Sequence, residues 1–167
     1  MEMEKDACVM RATEYSQTLT REQRQRAKER LAAQFAELLG RSPAENIYWM
    51  ETVTDLMDLS HVVYLTGLIT DGQGRPFGFR RIVERACAVL HVPLPANPYS
   101  MAFNARNRKG VRQTSMFSRY CWLMYSTDST NPINGMVRIM GETRKIKNEG
   151  GRVKGGEGQI QAPVAAQ

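Results

Sequence analysis

The chain has 167 residues, 42% of them hydrophobic and 24% charged, enough for one compact domain with its own core and outside the composition of a disordered chain. Three scattered cysteines, Cys8, Cys87 and Cys121, exclude a disulfide framework or a zinc knuckle and fit a reducing cytoplasm, and no apolar run approaches the ~18 residues needed to cross a bilayer. The net charge of +6 is segregated: residues 1–74 carry a net −4, whereas residues 76–125 carry +7 with Glu84 as their only acid, a localised field suited to a polyanionic partner.

Residues 1–19 read as an N-terminal extension. Thr20 and Gln23 have capping-box spacing, and Ala27, Leu31, Phe35 and Leu38 recur on one face up to Gly40, so the first helix is expected over 20–39. Ser42, Pro43 and Glu45 signal a second start, and the stripe Trp49, Val53, Leu56, Ser60, Val63, Gly67 predicts a central helix running from there. Glu51, Asp55 and Asp58 lie on the opposite side as an acidic stripe. Without further ligands beside them, and with His61 next to the last, the expectation is a solvated face rather than a metal site.

The stretch Asp71-Gly72-Gln73-Gly74 breaks the pattern as a turn or short hairpin. Phe79, Ile82, Val83, Ala86 and Leu90 then predict a helix over 78–91 with Arg80, Arg81, Glu84 and Arg85 outward, closed by Pro93 and Pro95. Asn97-Pro98 starts another, over 98–108, whose buried side is expected to be Tyr99, Ala102 and Phe103. After Gly110, Thr114 or Ser115 caps a fifth helix burying Phe117, Tyr120, Cys121 and Met124. Residues 126–167, with seven glycines after Asn134, read as a basic, largely disordered tail, in which 136–140 alternate like a short strand or wing.

The chemistry concentrates on the polar face of the helix over 98–108. Ser100, Asn104, Asn107 and Arg108 share that face, and they are residue types that read base edges: Asn bonds adenine bidentately, Arg guanine, and Ser either bases or phosphate. Lys109 and Arg112 follow at once, and with Arg80, Arg81, Arg85 and Arg119 they make the candidate phosphate contacts. A basic helix, a proline-containing connection and a polar helix follow the order of a helix-turn-helix, or of a winged-helix variant, given the long connection. The aromatics Phe103, Phe117, Tyr120 and Trp122 can instead stack on unpaired bases or on RNA, although helical spacing favours the core for them. His61 and His91 have no nucleophile constellation around them, so no catalytic residue, cofactor or metal is expected.

Residues 49–125 also resemble the C-terminal region of the RteC family, regulators carried on conjugative elements. The likeness rests on Trp49 and Thr52 opening a helix that ends at Tyr64-Leu65-Thr66-Gly67, the turn at Asp71-Gly72, the segment Arg81-Ile82-Val83, and Asn97-Pro98-Tyr99 leading to Arg106-Asn107-Arg108-Lys109 before Phe117. It implies a winged-helix-like, DNA-binding transcriptional regulator of a bacterial mobile element, without enzymatic activity. A second reading is a protein-interaction module whose basic face meets an acidic partner and whose first helix packs in a homodimer.

Overall fold

The computed structural model describes residues 17–107, 115–127 and 129–141. Within them the chain is mainly helical, with five α-helices and a two-stranded antiparallel sheet. Helix α1, Arg21–Leu39, opens with the capping box expected of it: Gln23 N–H donates to Thr20 Oγ1 at 3.1 Å and Thr20 N–H donates to Gln23 Oε1 at 2.9 Å. Its apolar stripe, Ala27, Leu31, Phe35 and Leu38, is buried in the chain's own core. That face is therefore not open for the dimer packing considered above.

The second start signal is real but short. Ser42 and Glu45 form a capping box around one 3-10 turn, Pro43–Glu45, and Asn46, left-handed at φ 57°, turns the chain into strand β1, Ile47–Trp49. The central helix begins later, at a second box between Thr52 and Asp55, and runs as α2, Val53–Thr66, to a left-handed Gly67. The expected helix thus merged a turn, a strand and a helix, because the four-residue step from Trp49 to Val53 imitates a helical period. In β1 the inward residues are Ile47 and Trp49, a spacing of two, and the Trp49 indole N–H donates to the Thr52 carbonyl at 2.8 Å where the chain turns into α2.

After α2, Asp71 Oδ1 accepts N–H bonds from Gln73 (2.8 Å) and Arg75 (3.0 Å), closing the expected turn between bridged Thr70 and Pro76. These two bonds hold the Asp71 carboxyl below its usual range. Helix α3, Phe79–Leu90, ends on left-handed His91, whose ring stacks on Tyr48 at 4.5 Å. Helix α4, Pro98–Arg106, is capped by Asn97, and α5, Met116–Ser126, by Ser115. A 3-10 turn, Pro132–Gly135, then leads to β2, Val137–Ile139, which pairs with β1 in the register Ile47 to Ile139 and Trp49 to Val137. The chain beyond Tyr125 therefore returns to the core: Ile133 and Met136 are buried, and the expected domain boundary at 125 falls inside the fold.

Helix α2 is the hub, touching each of the other four helices. Its acidic side is not solvated as expected. Asp55 and Asp58 are each only 2% exposed, because α5 docks on that side. Arg119 places Nη2 2.9 Å from Asp55 and Nη1 3.5 Å from Glu51, while the Asp58 carboxylate accepts the N–H groups of Met116 (2.7 Å) and Phe117 (3.3 Å) at the start of α5. An acid at a helix N-terminus meets both the positive end of the helix dipole and unsatisfied donors. The stripe is a socket for α5.

Candidate nucleic-acid interface

Helix α4 lies principally along α2 and is held there by small side chains: Ala102 and Ala105 are its buried residues. Two alanines at i and i+3 let the backbones approach closely, so that Met101 still reaches the core while both aromatic residues of this short helix turn outward. This reverses the expectation for Tyr99 and Phe103, which are 54% and 67% exposed. At about 100° per residue, the outward arc of α4 and its C-cap reads Arg106, Tyr99, Phe103, Asn107, Ser100, Asn104, and every member of it is exposed. The polar trio lies together on that face as the spacing required. Asn107 serves also as the C-cap, its N–H donating to the Phe103 carbonyl at 3.2 Å, and the Ser100 N–H is taken by the Asn97 cap at 3.1 Å, which leaves the Ser100 hydroxyl outward.

The inner flank of this ridge is an aromatic cluster on α2 and α3. Tyr99 packs on Phe79 with ring centroids 4.5 Å apart, and Phe79 meets His61 edge-on at 5.3 Å and Tyr64 at 5.8 Å. The Arg106 guanidinium contacts His61 Nδ1. Partial burial, aided by that cation, lowers the His61 pKa, so near pH 7 its ring is the neutral acceptor of the Arg106 N–H. At the C-terminal end of α4, where Arg106 meets α1, α2 and α5, lies a groove of about 350 Å³ lined also by Arg24, Lys28, Asp58, Leu65 and Phe117.

The candidate phosphate contacts meet different fates. Lys109 and Arg112 lie outside the described residues, as does Arg108, the fourth base-readout candidate. Arg80 pairs on the surface with Glu84 at 2.8 Å, and Arg81 lies over the Phe77 ring at 4.1 Å. Arg85 reaches back to α1, donating from Nε to the Leu39 carbonyl (2.8 Å) and from Nη2 to the Arg41 carbonyl (3.0 Å), so it closes the C-terminus of that helix. Arg119, 23% exposed at its side chain, is held by Glu51 and Asp55. Of the four described candidates, Arg85 and Arg119 are tied into the fold and do not join α4 in one patch.

Sequence reasoning missed Tyr99, Phe103, Arg106 and His61 as surface residues grouped around one helix. The available signal was the pair Ala102 and Ala105, which can serve as a contact face where larger side chains would hold the helices apart. Among the described residues no group of three or more His, Cys, Asp or Glu is placed to hold a metal, and no helix is long and apolar enough to cross a membrane. Comparison with known proteins returns no match, whether to a family model, a curated protein or a solved structure, so the RteC resemblance rests on the residues quoted for it.

Proposed function

We propose that this chain is a non-enzymatic, DNA-binding regulatory or accessory protein that presents the outward face of α4 to bases and the basic run over 106–112 to phosphates. The observation that carries the reading is the exposure of Ser100, Asn104 and Asn107 side by side on a helix that leads directly into four positive charges in seven residues. Base-edge donors and acceptors on one helix face, with cations at its end, are what groove recognition needs. In this reading α3, the proline-containing connection and α4 make a variant helix-turn-helix in which α2 supplies the support for the readout helix. The regulatory role and the mobile-element setting come from the RteC resemblance alone.

Binding to duplex DNA, measured at two salt concentrations, tests this. Lys109→Ala or Arg112→Ala should weaken specific and non-specific binding alike and reduce the salt slope by about one for each phosphate left without its cation. Asn104→Ala or Arg108→Ala should cost roughly 1–3 kcal/mol on a preferred site and much less on random DNA. Equal losses on all sequences would remove the readout helix from the account and leave only a basic segment.

A second reading has one observation in its favour. Between the C-terminus of α1 and α3 runs an open groove of about 780 Å³ whose walls include Ala36, Leu68, Phe77 and Ala88, with Arg81 and Arg85 outnumbering Glu84 among its charged residues. An apolar floor with a cationic edge suits an acidic protein segment. Heparin should compete with either partner, whereas a gel shift with labelled duplex should appear under the first reading alone.

A further inference from the structure

The centre of the outward arc of α4 is a phenyl ring. Phe103 stands between Tyr99 on one side and Asn107 on the other, more exposed than any other large apolar side chain among the described residues. Leaving a Phe side chain in water forgoes the free energy of burying it, and this one is left so beside a polar face. Its neighbour Tyr99 is one helical turn away, about 6 Å along the axis, and is braced from behind by Phe79 and His61. Two outward rings one turn apart, the nearer to the core held in place, are a preformed surface for flat aromatic groups.

Resting on the proposal that α4 is the nucleic-acid face, and replacing the duplex of that reading by a single strand, we infer that the strand it takes is unpaired: nucleobases stack on Phe103 and Tyr99, Asn104 and Asn107 bond their exposed edges, and Arg106 and Lys28 meet the backbone. Stacking uses the whole face of each ring, which only an unpaired or extruded base can offer. A duplex presents base edges, and there a ring at the centre of a recognition helix finds a thymine methyl and little else. Such a contact gives one ring a purpose but not two, and it gives none to Arg106, whose planar guanidinium continues the ridge beyond Tyr99. Cations at one end of the ridge are also accounted for, since Arg106 lines a hollow whose wall also carries Arg24 and Lys28 of α1.

Fluorescence anisotropy of the full chain on three probes tests the inference: a mixed-sequence single strand, its duplex, and that duplex with deoxyuridine in place of thymidine. The single strand should bind more tightly than the duplex at equal salt. Phe103→Ala should weaken single-strand binding about 5- to 150-fold, in line with the energy of one base–aromatic stack, Phe103→Leu nearly as much, and Phe103→Trp little. A 2-aminopurine in the strand should be quenched on binding by the wild type and not by Phe103→Ala. Because the ring is on the surface, the Phe103 variants should unfold at the wild-type urea midpoint, which verifies that weaker binding does not come from a damaged fold. Preference for the duplex with weaker binding to the deoxyuridine probe would replace stacking by a methyl contact and overturn the inference while keeping α4 as the DNA face. Single-strand binding indifferent to Phe103→Leu would overturn it as well. No binding to any probe would remove the nucleic-acid reading itself.

Discussion

At the scale of single residues, Asp58 and Arg119 make the acidic side of α2 into a joint. Arg119→Ala would leave the Asp55 carboxylate buried with its nearest cation gone, and truncating one side of a buried pair costs about 3–5 kcal/mol. With Arg119 partly exposed, a destabilisation near ~3 kcal/mol in urea unfolding at neutral pH is expected. The same variant should leave the salt slope of DNA binding unchanged once its fold is secured, which separates its structural use from the phosphate contact that sequence suggested. Asp58 has a different signature. Burial raises its pKa above the ordinary value of 3.8, outweighing the Met116 and Phe117 N–H bonds, so the folded state holds this proton more tightly than the unfolded chain. The stability it contributes is fully present below 3.8 and is lost as pH rises through the raised folded value. Asp58→Asn, which cannot titrate, should therefore compare less favourably with the wild type at about pH 4 than at about pH 7 in paired denaturation curves.

Helix ends decide where the elements of this fold begin and stop, and they were the most legible part of the sequence. Thr20 with Gln23, Asn97 before Pro98, and Ser115 all cap as their spacing indicated. Two ends were out of reach because their partners are remote: α1 has no basic residue in its last turn and is closed by Arg85 of α3, and α5 is opened partly by Asp58 of α2. Arg85→Ala should accordingly destabilise the chain by about 1.5–3 kcal/mol, with amide exchange quickening first in the last turn of α1. Gly67 ends α2 at φ 65°, and Gly67→Ala should cost about 1 kcal/mol although open space surrounds the position, since the penalty lies in the backbone. The outward face of α4 was half legible for a related reason. Spacing put Ser100, Asn104 and Asn107 together, but it could not tell that a face of two alanines would pack on α2 in preference to a face carrying Tyr99 and Phe103. That choice is made by how close two backbones can come, which is a property of the pair of helices and not of either one.

Over the whole molecule, the thiols report how tightly the core is closed. Cys87 and Cys121 are both buried, and burial pushes their pKa values up to about 11 and about 12, far from the thiolate needed for reaction. With Cys8 replaced by Ser, labelling by a thiol reagent at about pH 8 should be negligible in buffer and should rise with denaturant along the global unfolding curve. What completes that closure is the last described stretch of chain. The Gln34 amide donates to the Thr130 carbonyl across 96 residues, the Tyr125 hydroxyl donates to the Gln23 carbonyl across 102, and β2 pairs with β1 from the far end of the fold. Contacts so distant in sequence form late, since a long loop must be closed before they return anything. On an emerging chain α1 to α3 are complete while β1 still has no partner, its Ile47 and Trp49 waiting with an open strand edge. The emergence of β2, more than that of any helix, sets the moment at which this edge is covered.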